Sequence, residues 1–149
     1  MTEYNPIVAV DIPNKPQPQG SMTSFGRGRM TYPRHVLEHR EYVTGMLAAA
    51  YKGEPVTGPV VVWLVGFLPR PKSHFGTGRN ASKLKPSAPA VPATKPDLDK
   101  LARLVGDSLT NAGVLRDDAQ IVTWHAHKRY ASVAPFTRIT VDHYEGDDE

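Results

Sequence analysis

Five aspartates fall within the run "KPDLDKLARLVGDSLTNAGVLRDDAQIV" at residues 95–122: Asp97, Asp99, Asp107, Asp117 and Asp118. Carboxylates held at short range repel one another, and a fold seldom keeps them together without a return. The chemistry that rewards the arrangement is that of a hard cation. Mg²⁺ takes oxygen ligands, keeps several of its waters, and is held by one or a few carboxylates together with phosphate oxygens of a substrate; Mn²⁺ is an acceptable substitute. Such an ion polarises a phosphoryl oxygen, lowers the pKa of a bound water and steadies a leaving alkoxide.

The elements that must position these carboxylates can be read around them. Leu98, Leu101, Val105 and Leu109 recur at i, i+3, i+7 and i+11, which predicts a helix over about 98–111 with one buried stripe. Pro96 opens it, and the glycine of "NAG" at 111–113 closes it. Asp99, Arg103 and Asp107 follow at i, i+4 and i+8 on another face. A turn then delivers Asp117 and Asp118 to a strand over 121–131. If that strand lies beside the helix N-terminus, Asp97, Asp99 and Asp118 converge as a catalytic, metal-holding set. Asp107 lies roughly 12 Å further along the axis and reads as a structural partner of Arg103 or of a loop. Each carboxylate also has a plain reading. Asp97 can cap the helix, Asp99 can complement its dipole and pair with Arg103, and "RDDAQ" can be a solvated turn.

Elsewhere, strands are expected at 7–13, 60–68 and 136–142. The middle one, "VVVWLVGFL", is apolar at nearly every position and reads as a central strand covered on both faces. A first helix starts near Tyr32–Pro33 and runs to about Tyr51, with Val36, Val43, Leu47 and Ala50 as its stripe. Segments 14–30 and 69–96 read as mobile basic loops, and 145–149 as an acidic tail. The order β-α-β-loop-α-β-β predicts one α+β domain over 1–149, a mixed sheet with two main helices.

The net charge of +3 hides an asymmetry: no acidic residue lies between Glu54 and Asp97, while Arg70, Lys72, Arg79, Lys83, Lys85 and Lys95 do. With Lys15, Arg27 and Arg29 of the first loop and Lys100 of the helix, they form the expected contacts to a polyanion. The chain has no cysteine, which excludes disulfides and thiolate metal sites. No apolar run reaches the roughly 18 residues of a membrane helix, and no secretory signal is expected, so the chain reads as cytoplasmic. His125 and His127 share a strand face as two zinc ligands would, but lack a third His or Cys ligand nearby. Trp124, which alternates with them along the strand, reads as core. The glycines of "FGRGR" do not form a nucleotide-binding fingerprint. A small phosphohydrolase acting on nucleotides would need fewer basic contacts than this chain carries.

The stretch "KPDLDKLARLVGDSLTNAGVLRDDAQIVTWHAHKRYA" resembles the core of the RusA family of Holliday-junction resolvases. The family pattern runs Pro-Asp-x-Asp-Asn-x-x-Lys, Asp-Ala-Leu, Asp-Asp-x-Gln-hydrophobic, then a strand ending Lys-x-Tyr. "GPVVVWLVGFLPRPKSHF" and "KLKPSAP" also resemble the segment that precedes this core, so the likeness covers roughly residues 58–142. The resemblance implies a homodimeric, Mg²⁺-dependent endonuclease that recognises branched DNA in recombination and repair. It would cut two opposing strands of a four-way junction, leaving 5′-phosphate and 3′-hydroxyl ends. Asp97, Asp99 and Asp118 match the family's catalytic acids, and Asp117 is an auxiliary one. Arg103 stands where the family has an essential lysine, and Lys100 replaces its asparagine. Arginine keeps the charge but cannot serve as a tunable amine. The departures leave open a second reading, a catalytically weak or silent protein that binds branched DNA.

Overall fold

The computed structural model describes residues 4–24, 26 and 28–146. Its frame is a four-stranded sheet built from β1 (Val8–Pro13), β4 (Val60–Leu68), β5 (Ile121–Tyr130) and β6 (Phe136–His143), in the order β1-β6-β4-β5. β4 runs parallel to β5 and antiparallel to β6, which in turn pairs antiparallel with β1. Parallel neighbours need a crossover. Here it consists of the irregular stretch 69–97 and the helix α2 (Leu98–Asn111). With α1 (Arg34–Ala50), the molecule is α+β with a mixed sheet and two helices.

Both helices pack on one face of the sheet, α1 over β1 and α2 beside β5, and against each other. α1 buries Val36, His39, Val43 and Leu47, a stripe at helical spacing that includes His39 and leaves Ala50 exposed. α2 buries Leu101, Leu104, Val105 and Leu109 against Val62, Leu64, Ile139 and Val141 of the sheet. At roughly 1.5–3 kcal/mol per fully buried aliphatic side chain, this layer is the main source of stability.

β4 departs from its expected environment. It is central in the strand order, yet only Val60, Val62, Leu64, Gly66 and Leu68 face the helices and are buried. Its other side, with Val61, Trp63, Val65 and Phe67, is covered by no helix among the described residues, and Trp63 is 43% exposed. A run of apolar residues records two apolar faces, not what covers them.

The first irregular segment holds more order than its composition suggests. It contains the short hairpin of β2 (Thr23–Ser24) and β3 (Met30–Thr31) and the fully buried Gln19. Arg40 Nη1 donates to Gln19 Oε1 at 3.2 Å, the Gln19 amide donates to Asp107, and Arg40 pairs with Asp107 at 3.6 Å. Loop and helices are thereby tied together, and Asp107 finds its partners in a loop and in α1 rather than in Arg103.

Segment 69–96 is irregular apart from short turns at Lys72–His74 and Gly78–Asn80 and a bridge between Phe75 and Leu84. Its two ends are fastened to β5. Arg70 lies over the Tyr130 ring at 4.2 Å and donates to the Pro89 carbonyl at 2.8 Å. Lys128 Nζ donates to the carbonyls of Thr94 and Pro96 at 2.6 and 3.0 Å. No helix among the described residues is long and apolar enough to cross a membrane.

Candidate functional site

The turn before β5 is a capping box. Asp117 Oδ1 accepts the Ala119 N–H at 2.8 Å, while Gln120 Oε1 accepts the N–H groups of Asp117 and Arg116 at 3.0 and 2.8 Å. The Gln120 amide then donates to the carbonyls of Val56 and Gly58 at 2.7 and 2.9 Å, anchoring the turn to the approach to β4. This gives the Asp-Asp-x-Gln spacing a mechanical meaning. Asp117 and Gln120 hold the turn, and Asp118 is the residue the turn presents.

Asp118 is presented to α2 at Gly106. A methyl group added at Gly106 would sit 3.6 Å from Asp118 Cβ and Oδ2 and 3.7 Å from the Trp124 ring. The hollow at this contact has a volume of about 340 Å³ and is lined by Asp99, Ala102, Arg103, Gly106, Asp118, Ile121 and Trp124. Trp124, expected in the core, is 36% exposed and forms one wall of this hollow. Burial, a hydrogen bond with Asp117 and the charges of Asp107 and Asp117 all push the Asp118 carboxyl above its ordinary range. Among the described residues no ion pair neutralises Asp118, Asp99 or Arg103.

Asp97 occupies a different setting. It stands at the N-cap position of α2, but its carboxylate accepts no hydrogen bond from the helix amides. Lys95 Nζ lies 3.0 and 3.2 Å from its two oxygens, and Lys100 Nζ lies 3.3 Å from Oδ2. The hydrogen bonds from Lys95 and then Lys100 hold the Asp97 carboxyl below its ordinary range. Lys15, Lys95, Asp97, Lys100 and the prolines 16, 18 and 96 line a second hollow of about 480 Å³. The three-carboxylate centre expected of Asp97, Asp99 and Asp118 is therefore not assembled: Asp99 and Asp118 share one hollow, while Asp97 faces lysines in the other. Among the described residues no group of three or more His, Cys, Asp or Glu is arranged to hold a metal ion.

Of the ten basic residues expected to meet a polyanion, Arg29, Lys72, Arg79, Lys83 and Lys85 are exposed and have no acidic partner among the described residues. Lys15, Lys95 and Lys100 gather at the Asp97 hollow. Arg70 is engaged by Tyr130 and Pro89, which makes it a fastening of its own loop. Arg27 lies outside the described residues. His125 stacks on Trp63 with ring centroids 3.8 Å apart, and His127 Nδ1 is 3.3 Å from the Arg129 guanidinium, on the side of the sheet away from the helices.

Sequence reasoning passed over Gly106, Gln120, Lys128 and Gln19, all of which position the two hollows. For Gln120 the signal was present as the capping-box spacing from Asp117. For Gly106 it was a glycine inside an otherwise good helix, a placement that costs about 1 kcal/mol and so asks for a packing reason.

An acidic hollow and a cationic one thus lie along a single helix of this α+β scaffold. The chain belongs to the RusA family: the family model, Endodeoxyribonuclease RusA, matches residues 11–142. No curated protein matches it. Membership makes it an endodeoxyribonuclease of the Holliday-junction resolvase kind.

Proposed function

We propose that the chain is a metal-dependent, structure-selective endodeoxyribonuclease that resolves four-way DNA junctions by paired, symmetric phosphodiester hydrolysis. The observation that carries this reading is the shared hollow of Asp99 and Asp118, in which Asp118 is pushed toward protonation by burial and by neighbouring carboxylates. A divalent cation relieves that repulsion, and two carboxylates with substrate oxygens suffice for Mg²⁺, with Mn²⁺ as a substitute. Asp99 and Asp118 would hold the ion, while Asp97, expected as a third ligand, lies with Lys95 and Lys100 in the other hollow. When bound, the ion would supply charge stabilisation at the phosphoryl oxygens and an acidified water.

The chain's own residues account for the rest. Arg103, which lines the hollow and has no acidic partner among the described residues, offers a fixed fork of donors to a non-bridging phosphate oxygen but no proton for the leaving group. Trp124 and Ile121 wall one side against bulk water. The cationic residues of 69–96 and of the Asp97 hollow would track the DNA backbone, so affinity should fall steeply with salt. Hydrolysis joins a water oxygen to phosphorus and breaks the bond to the 3′ oxygen, which leaves a 5′-phosphate and a 3′-hydroxyl.

A junction with two-fold symmetry presents two equivalent phosphates, so a C₂ homodimer matches it. The open face of the sheet supports a second copy of this chain as partner. It carries Trp63 stacked on His125, Phe67 stacked on Phe136, and the exposed pair Arg138–Asp11, so it offers apolar surface and charges of both signs to its own image.

The alternative, a protein that binds branched DNA with little or no turnover, is favoured by Arg103 in place of lysine and by the lysine-bound state of Asp97. Incubating a labelled four-way junction and a matched linear duplex with Mg²⁺, and again with EDTA, separates the two. Paired nicks near the branch only with metal are expected. Tight junction binding without nicks in any divalent ion would establish the alternative.

A further inference from the structure

The cationic hollow has more structure than a contact to phosphate requires. The first loop contributes Pro16 and Pro18 to it, the approach to α2 contributes Pro96, and Lys15, Lys95 and Lys100 stand among them. Both segments are fastened to the scaffold. The Gln19 N–H donates to the Lys100 carbonyl at 3.0 Å, while the fully buried Gln19 side chain is tied to Arg40 and Asp107. On the other side, Lys128 Nζ holds the carbonyls of Thr94 and Pro96. A lining fixed before the ligand arrives loses little freedom on binding it. The volume of about 480 Å³ suits a group of nucleotide size.

The charge and the apolar surface of the hollow ask for different parts of one ligand. Three ammonium groups against the single carboxylate of Asp97 leave it with two net positive charges, more than one phosphodiester neutralises. Pyrrolidine rings offer phosphate nothing, but they give a nucleobase a flat apolar surface. Proteins that take a base out of the stack hold it against apolar or aromatic side chains. We propose that the hollow takes one unpaired nucleotide of a branched DNA strand, its base against the prolines and its two flanking phosphates on the lysines. In a continuous duplex the full unstacking and unpairing cost would oppose this, whereas at a branch or bulge part of it is already met. The hollow therefore favours branched over linear DNA. This inference rests on the reading of the chain as a DNA endonuclease, but it needs no metal.

Binding of the full chain in EDTA to three matched duplexes tests it: one fully paired, one with a single bulged 2-aminopurine, and one with a bulged abasic site that keeps the phosphates without the base. Wild type should bind the 2-aminopurine bulge on the order of fivefold tighter than the abasic one, the gain from covering a few tens of Å² of base face. The 2-aminopurine fluorescence should rise on binding, since no aromatic ring lines the hollow to quench it. Pro18→Ala should lose most of the preference. Lys15→Met should weaken both bulges alike, and more than Lys52→Met, which removes the same charge at an exposed position outside the hollow. Equal affinity of wild type for the two bulges, a preference untouched by Pro18→Ala, or a Lys15→Met variant no weaker than Lys52→Met would overturn the proposal. So would displacement of the bulged duplex by an equal concentration of free deoxyadenosine monophosphate, which would make the hollow a mononucleotide site. The wild-type comparison stands even if Pro18→Ala does not fold. If wild type binds all three duplexes equally, only the base site fails. If it binds none of them, the DNA reading fails with it.

Discussion

Asp97 and Asp118 are the same residue type at the two edges of one helix, and the fold treats them in opposite ways. Asp97 sits with two ammonium groups within 3.3 Å and is held deprotonated by them. Asp118 has two other carboxylates acting on it and no cation within pairing distance among the described residues, and is pushed toward its neutral form. In the first setting the charge is balanced inside the chain. In the second no ion pair among the described residues balances it. A cluster of aspartates in a sequence is therefore not one electrostatic object. Its members are sorted by what the neighbouring loop brings to each.

The largest effect that would sharpen this contrast is on cleavage. Asp99→Asn and Asp118→Asn should each lower the rate of junction cutting by roughly 10³-fold or more, since several kcal/mol of charge stabilisation pass through these groups. Junction affinity in EDTA should change little, because the cationic residues lie on other segments. Gel-shift and single-turnover cleavage on the same preparations check both halves. A variant that loses binding in step with cleavage would show that the acidic hollow is not separate from the binding surface.

A second effect acts on the space between the two regions. Gly106 lies in α2 against Asp118, and a Cβ there would make only ordinary contacts at 3.6–3.7 Å. Gly106→Ala should therefore stabilise the helix by about 1 kcal/mol, raising the melting midpoint by about 2–4 °C for a chain of this size. Gly106→Leu should instead fill the hollow and abolish cleavage while DNA binding in EDTA persists. A fall in midpoint for the alanine variant would mean that the turn and helix already touch more closely than this packing allows.

How much of this could be read in the sequence depends on the range of the forces involved. The α2 stripe of Leu101, Val105 and Leu109 and the strands around it are set by local periodicity, and their bounds were legible to within a residue or two. The likeness of "PDLD" and "RDDAQ" to a known nuclease core was legible as well. What was not legible is contact between distant segments. That Gln19 would be buried between Arg40 and Asp107 depends on where a proline-rich loop packs, and a residue eighty-eight positions from its partner leaves no periodic trace. That Arg70 would lie on Tyr130 rather than await DNA depends on the path of an irregular segment. The pairing of Asp97 with Lys95 and Lys100 was short-range, and the Lys100 half of it could have been read from the i,i+3 spacing. Charge counting treated those lysines as free, and so missed that one carboxylate was already spoken for.

The smallest effect is the one most specific to the contrast, and it concerns stability without metal. A carboxyl whose folded pKa is raised binds more protons folded than unfolded, so its contribution is complete below the unfolded value of about 3.9 and is lost as pH rises through the raised folded value. That is the case of Asp118. Asp97 is lowered, so its contribution is present above the unfolded value and is lost as pH falls through the folded one. At neutral pH in chelator, Asp118→Asn should thus melt above wild type, by about 1–2 °C after solvent screening, and Asp97→Asn below it. Toward pH 3 the Asp118→Asn advantage should vanish, because wild type then carries a neutral carboxyl as well. Melting curves in EDTA across pH 3–7.5 measure both. If the two asparagine variants shift in the same direction at neutral pH, the acidic and cationic hollows do not differ in the way their geometry implies.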